Sequence, residues 1–315
     1  MLDFLLRRLS AAILTLVLAS VVVFSVLEIL PGDPALVMLG TEARSDTLAA
    51  LRAKLGFDRP APERYARWIA GLLTFDLGNS HAYGTPVSKL ILDRLVVTLP
   101  LGAIALTFSM CVAIPLGVFA ASRRGRAGDW LVMGFGQLGI SIPNFWFGIL
   151  LALLFAVGLK LFPAGGFPGW GVDALGSLHA LILPALSLSL PEIAILSRVT
   201  RSSMLDTLRE DYVRTARAKG VAERDVLMRH ALRNALIPIV TIAGLLAGFL
   251  LAGAIIVETV FYLPGIGKLV FDSINNRDLI VIKNVVMLLT VLVLVVNLIV
   301  DTIYVLLDPR PKVSA

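Results

Sequence analysis

Six long apolar runs constrain this chain more than any other feature of its sequence. They cover residues 9–30, 96–121, 131–159, 178–197, 234–257 and 284–307. Each run has roughly 20 or more residues, enough for a helix to cross a hydrocarbon core of about 30 Å. With 57% hydrophobic and 16% charged residues among 315, a soluble globular fold is excluded. We predict an all-α polytopic membrane protein with six transmembrane helices, forming a single domain over 1–315.

The distribution of Lys and Arg predicts which segments face the cytoplasm. Both termini, the turn over 122–130 and the segment 198–233 would share one side of a six-span protein. Together they hold 16 of the 28 Lys and Arg residues, but only 8 of the 22 Asp and Glu residues. Because basic residues collect in cytoplasmic loops, we predict that both termini are cytoplasmic. The same pattern accounts for the net charge of +6 without any nucleic-acid partner.

Residues 31–95 then form one long extracytoplasmic segment. A structureless connection of this length is uncommon in a compact domain. Helix-forming residues are frequent over 48–55 and 62–73. We therefore expect short helices on the outer face.

The cytoplasmic segment 198–233 differs from an ordinary connecting loop. Its residues favour helix, and Gly220 is placed to break it into two short helices. Tyr212 and Ala216 fall on one apolar helical stripe, a pattern that a fully solvated loop does not need. A solvated basic loop remains the alternative. We predict that this segment docks a soluble protein, because amphipathic helices are often held in grooves of their partners.

The sequence contains no recognisable catalytic or nucleotide-binding set. Its histidines, His81, His179 and His230, are far apart and lack the spacing of metal ligands, and Cys111 is the only cysteine. The segment 265–268 has glycines before a lysine, but it lacks the first glycine and the Ser or Thr of a phosphate-binding loop. We interpret it as a turn. The chain is therefore not expected to be an enzyme or to bind a cofactor itself.

Four further residues within the apolar runs are candidates for a pathway or for helix packing. Glu192 and Asp301 are ionisable groups at or near membrane depth, which are functional candidates by default. Gly244 and Gly248 lie four residues apart and allow close helix contact. Structural packing and a role in the pathway both remain open for these four positions.

The cytoplasmic segment resembles the conserved loop of ABC importer permeases. The Glu-Ala-Ala positions of that loop are occupied by Arg214, Thr215 and Ala216, and its glycine corresponds to Gly220. Its downstream Ile-x-Leu-Pro appears as His230-Ala-Leu-Arg233. This variant form is similar to the subfamily that imports dipeptides, oligopeptides, glutathione or nickel. Other marks of the first-type permease in that subfamily recur in order: Leu30-Pro-Gly-Asp-Pro34, Phe75-Asp-Leu-Gly-Asn-Ser80, Ser141-Ile-Pro-Asn-Phe145, Pro264-Gly-Ile-Gly267 and Leu307-Asp-Pro-Arg310.

The resemblance implies a type I ABC importer permease in a bacterial inner membrane. Such a permease would pair with a second, related permease, two cytoplasmic ATPase subunits carrying ATP and Mg, and an extracytoplasmic binding protein. Tyr212, Ala216, Gly220 and His230 would belong to the loop that docks an ATPase. Peptides are the expected substrates, with nickel or glutathione as alternatives. An ion-coupled secondary transporter using Glu192 or Asp301 is the rival class.

Overall fold

A computed structural model describes residues 2–29, 36, 44–56 and 58–307, and the described part is almost entirely helical. The helices are α1 (Leu2–Ile29), α2 (Ser45–Leu55), α3 (Ala61–Thr74), α4 (Val87–Ser122), α5 (Ala127–Ser141), α6 (Asn144–Gly158), α7 (Ala174–Thr207), α8 (Asp211–Ala218), α9 (Glu223–Val260), α10 (Ile266–Asn275) and α11 (Leu279–Leu307). Among them, α1, α4, α7, α9 and α11 are each long and apolar enough to cross a membrane. The bent pair α5 and α6 would make a sixth span if the two helices cross the membrane together, so the all-helical membrane fold class is confirmed with five or six candidate spans.

The third predicted span, 131–159, is not one straight helix. Helices α5 and α6 meet at an angle of 99°. The break lies at Ile142, which has φ −90° and ψ 123°, immediately before Pro143. A proline disfavours helical geometry in the residue before it, and the apolar run by itself did not reveal this bend. The second half of α6, Ala152–Gly158, is a π-helix.

The fourth predicted span, 178–197, is the centre of a longer helix. Helix α7 continues through Pro184 and Pro191 without a break. It packs against α5, α6 and α9, and 67% of the residues in its most apolar 18-residue stretch are buried. Neighbouring helices that supply polar partners allow prolines inside membrane helices.

Within the predicted cytoplasmic segment 198–233, the connection between two membrane helices is shorter in the structure than the sequence analysis predicted. Its beginning belongs to α7 and its end to α9, which leaves α8 and two short turns as the connection. The second of the two predicted helices is not separate, because Glu223–Val260 is one continuous helix with a π-helical stretch at Val226–Ala231. Residues 223–237 contain neither proline nor glycine, so nothing in them interrupts helix formation.

The segment predicted to be extracytoplasmic contains the short helices α2 and α3. Residues 30–35, 37–43 and 57 lie outside the described part of the chain, as does the motif Leu30–Pro34. Gly56, with φ +73°, ends α2 in the left-handed conformation that glycine favours. The segment 265–268, interpreted above as a turn, is instead the start of α10, with Gly265 as its N-cap.

The described residues form two compact units. One contains the residues up to Val97 together with Pro264–Leu294, and the other contains Thr98–Leu263 together with the residues from Val295 onward. The first unit has a core of aliphatic side chains from α4, α10 and α11, namely Val87, Ile91, Ile266, Leu269, Val270, Val281 and Val285. The core of the second comes from α4, α7 and α9, namely Ala113, Ala121, Leu196, Met204, Ala231, Ala235, Ile239, Ala243 and Leu246. Small alanines in the second core let these long helices approach closely.

Candidate functional site

Helix α8 is the core of the predicted docking loop, and its apolar side faces the protein itself. Val213 is fully buried and Ala216 is only 7% exposed. The other residues of the helix are exposed, including Tyr212, Arg214 and Thr215. The predicted stripe is therefore divided, because Tyr212 is exposed while the chain itself covers Ala216.

A tight turn follows α8 at Gly220. Its φ is +78°, a left-handed conformation that glycine adopts readily and that suits the helix break predicted at this position. Two hydrogen bonds close the turn, from the Arg217 guanidinium to the Glu223 carboxylate at 2.7 and 3.1 Å. The hydrogen-bonded carboxylate raises the pKa of Arg217 above its ordinary value. The turn thus joins the end of α8 to the first residue of α9.

Tyr212 and His230 come together across the same turn. The Tyr212 hydroxyl accepts a hydrogen bond from Asn234 Nδ2 at 2.6 Å and donates one to the His230 carbonyl at 3.3 Å. These bonds fix α8 against the first turns of α9. Asn234 was not among the predicted residues, because nothing in its sequence context distinguishes it from a solvent-exposed amide.

The sequence analysis also missed a charge pair at the cytoplasmic end predicted for α7. Arg201 donates two hydrogen bonds to Asp129, at 2.5 and 2.6 Å, and Asp129 is only 4% exposed. The same carboxylate accepts a hydrogen bond from the Gly125 amide at 2.9 Å. This arrangement ties the 122–126 turn and the start of α5 to α7. Its one signal in the sequence was an acidic residue among the basic residues of that turn.

Glu192 lies in the middle of α7, directly after Pro191. Its side chain is 5% exposed, and its Oε2 atom has no hydrogen-bond partner among the residues that the structure describes. A carboxyl group placed this way is costly in an apolar setting. A role for Glu192 in the pathway stays a prediction.

The remaining pathway candidates are in different environments. A Cβ atom at Gly244 would lie 2.1 Å from Val300, so this glycine allows α9 to pack closely on α11. Gly248, one turn further along α9, is half-buried. Asp301 is half-buried on α11 and has interactions within the chain. The close contact at Gly244 fits the packing alternative, while the roles of Gly248 and Asp301 stay predictions.

The histidines named in the sequence analysis lie in different environments. His81 lies in a loop before α4, and burial lowers its pKa, although nearby Asp278 acts in the opposite direction. His179 stacks on Phe162, with ring centroids 4.6 Å apart. Within the described residues, no group of three or more His, Cys, Asp or Glu side chains is arranged to hold a metal ion.

Two family comparisons together cover nearly the whole chain. Residues 113–313 match the family described as the binding-protein-dependent transport system inner membrane component, and residues 1–102 match the N-terminal part of the same kind of component. The chain belongs to this family. Its members are the membrane permeases of ABC importers, which are not enzymes and work with an ATPase and a substrate-binding protein. The resemblance stated from the motifs is thereby confirmed.

Individual similar proteins are also named as transport permeases. The chain is 39% identical to the dipeptide transport system permease protein DppB of Escherichia coli (strain K12), over 98% of both proteins. It is 40% identical to a peptide transport system permease protein of Brucella abortus (strain 2308), again over 98% of both. Among solved structures, it is similar to a chain of the MetNI methionine ABC transporter in an inward-facing conformation. That match has a TM-score of 0.58 and 17% identity, covers 70% of this chain and 97% of the other, and shows a shared fold.

Proposed function

We propose that this permease moves dipeptides or oligopeptides into the cell across a bacterial inner membrane. It would act with a second, related permease, two cytoplasmic ATPase subunits and an extracytoplasmic peptide-binding protein. The names of the relatives support the substrate class, because the proteins from E. coli and Brucella are named as dipeptide and peptide transport permeases. The excess of Lys and Arg in the turn over 122–130 and in segment 198–233 supports cytoplasmic termini.

The observation that carries this proposal is the way α8 is held. Its apolar side is buried, its C-terminal turn is closed by the pair of Arg217 and Glu223, and its N-terminal end is bonded to α9 through Tyr212. Its opposite side is polar and exposed. A partner that binds the exposed side therefore contacts a short helix that has little freedom to move independently of α9.

Such a connection would convert movement of an ATPase into movement of the spans. Helix α9 begins directly after the Gly220–Ala222 turn and continues as a membrane-spanning helix to Val260. Any shift of α8 would thus act directly on a span, without an intervening flexible loop. ATP and Mg would be bound by the ATPase partners, in keeping with the absence of a phosphate-loop sequence in this chain.

Nickel or glutathione is the alternative cargo within the same subfamily. A panel of labelled substrates supplied to the reconstituted transporter separates these alternatives, since only the true cargo accumulates inside vesicles in an ATP-dependent way. Accumulation that depends on an imposed ion gradient and not on ATP would instead indicate secondary transport.

Docking is tested on the exposed side of α8. Ala218 is exposed at the end of the helix, so Ala218→Asp should fold normally but place a charge in the contact with the ATPase. We expect ATP-driven uptake of labelled dialanine into proteoliposomes to fall at least tenfold, because an unpaired charge buried in an interface is strongly unfavourable.

The matched control is Ser202→Asp, an equal change in charge at an exposed position of α7. This variant should retain the ATPase subunits during purification and transport at the rate of the unmodified protein. Normal uptake by Ala218→Asp would show that the exposed side of α8 does not dock the ATPase.

A further inference from the structure

A cavity of about 380 Å³ lies within the first compact unit, where α1 ends and α11 begins. One wall is apolar and comes from these two membrane helices. It includes Phe24 and Leu27 near the end of α1 and Leu279 and Ile280 at the start of α11. The apolar wall is therefore at the depth where the hydrocarbon core gives way to the headgroup layer.

The opposite wall is basic and belongs to α3 and the residues just before it. Three arginines line it, Arg59, Arg64 and Arg67, and among the described residues they outnumber the two carboxylates of the cavity, Glu28 and Asp76. Each arginine has an acidic neighbour: Arg64 pairs with Glu28, whereas Arg59 and Arg67 share Glu63 at 3.2 and 3.0 Å. The cavity thus combines a charged wall with an apolar one, as the binding site of an amphiphile would.

Lys283 completes the cavity and differs from the three arginines. It is half-buried, and no carboxylate oxygen of the described residues lies within 4 Å of its ammonium group. Instead, Nζ lies 5.3 Å from the centre of the Trp68 ring. Glu28 attracts this ammonium group only from a longer distance, so an anion in direct contact with it would offset more of the cost of its partial burial.

The position of the Trp68 ring is itself fixed by the fold. Its indole Nε1 donates a hydrogen bond to Asn284 Oδ1 at 2.9 Å, and Asn284 Nδ2 donates to the Leu77 carbonyl at 2.9 Å. The ring also stacks on Phe24 with centroids 6.2 Å apart. The Trp68 ring beside Lys283 is therefore held in position before any ligand binds.

We propose that this cavity binds the headgroup of an anionic phospholipid, with the phosphate beside Lys283 and the glycerol and upper acyl chain against the apolar wall. A soluble anion would use the basic wall alone and leave Phe24 and Leu27 uncovered. A phospholipid satisfies both walls, and basic residues with a tryptophan at this depth are typical of contact with headgroups. The site would couple the ends of the first and last spans to the lipid composition of the membrane.

The experiment measures phospholipid binding to the assembled transporter in detergent by native mass spectrometry. The probes are phosphatidylglycerol, which is anionic, and phosphatidylcholine, which has no net charge. We expect the unmodified transporter to retain one more phosphatidylglycerol than phosphatidylcholine. Lys283→Gln should weaken that phosphatidylglycerol site about fivefold, the usual effect of one basic residue at an anionic surface.

Two variants control the test. Lys283→Arg keeps the charge and should retain the preference, and Lys89→Gln removes an equal charge from an exposed position outside the cavity and should change nothing. Arg67, which is 62% exposed, provides a second variant that should fold, and Arg67→Gln should give a smaller loss of the same preference.

Three outcomes would overturn the proposal. The first is equal phosphatidylglycerol binding by the unmodified protein and by Lys283→Gln. The second is an equal affinity of the unmodified protein for both lipids. The third is displacement of phosphatidylglycerol by millimolar glycerol phosphate or inorganic phosphate, which would show that the cavity takes a free phosphate and not a lipid. If Lys283→Gln does not assemble, the second and third measurements still decide the question on the unmodified transporter.

Discussion

Helices α1 and α7 are both long enough to span a membrane, yet they differ sharply in how the protein uses them. In its most apolar 18-residue stretch, α1 has 6% of its residues buried inside the chain. The corresponding stretch of α7 has 67% buried, although it is the less apolar of the two. In a soluble protein the more apolar helix would be expected inside. Here the order is reversed, because lipid solvates apolar side chains as well as a protein core does.

The buried side of α7 contains polar side chains as well as apolar ones. Ser187 and Ser189 of α7 are fully buried. Ser187 donates a hydrogen bond to the Asn144 carbonyl at 2.5 Å, which ties α7 to α6. The Ser189 hydroxyl lies 2.6 Å from the Ala185 carbonyl of its own helix and 3.1 Å from the Ala105 carbonyl of α4, so the two helices approach closely there. On α1, Ser20 is the buried member of the described side chains, and its hydroxyl lies 2.8 Å from that of Tyr65. Substitutions around α7 should therefore cost more than those on α1.

The largest effect is expected for Arg201→Gln at the end of α7. The change leaves the buried Asp129 carboxylate without its charged partner, and removing one member of a buried pair costs about 3 kcal/mol or more. The apparent melting temperature of the purified transporter should fall clearly.

Arg198→Gln is the matched control for that prediction. Arg198 lies on the same helix but donates to the Gln137 side chain in an exposed setting. Its loss should change stability by no more than about 0.5 kcal/mol, as for most exposed positions. Equal destabilisation by the two variants would remove the distinction between buried and exposed charges on α7.

A somewhat smaller effect is expected where α4 packs on α7. A Cβ atom at Gly117 would lie 2.4 Å from Thr200 Cβ and 2.7 Å from the Ser197 carbonyl oxygen. Gly117→Ala should cost about 2 kcal/mol through overpacking. Gly102→Ala on the same helix meets no atom within 4 Å and should leave stability unchanged or slightly improved. Thermal unfolding of both variants in detergent tests the closeness of this packing.

The smallest effect is expected on α1. Ser20→Ala removes the hydrogen bond between α1 and Tyr65, worth about 1 kcal/mol. Ser10→Ala, which loses only a bond to the Arg7 carbonyl of its own helix, should have less effect still. If Ser20→Ala lowered the melting temperature as much as Gly117→Ala, α1 would be held as firmly as α7, contrary to the comparison.

The sequence by itself determined the fold class and the family. Apolar runs long enough to cross a bilayer leave few alternatives, because every backbone amide in lipid must be hydrogen-bonded within its own helix. The left-handed turn was also predictable at Gly220, since glycine adopts that conformation without strain. Several of the recognised motifs lie at helix boundaries in the structure: Phe75–Ser80 follows α3, and Ser141–Phe145 contains the break between α5 and α6.

Only the tertiary structure decided which faces and partners these elements use. The stripe containing Ala216 was visible in the sequence, but whether it faced a partner protein or the chain itself depended on how α8 lies against the remainder of the protein. The pairing of Asp129 with Arg201 joins residues 72 positions apart. Periodicity shows which face of a helix is apolar. In a membrane protein, such a face can be covered by lipid, by a neighbouring helix or by another subunit. The choice among them is made by packing and hydrogen bonds between segments distant in sequence, which a local pattern does not encode.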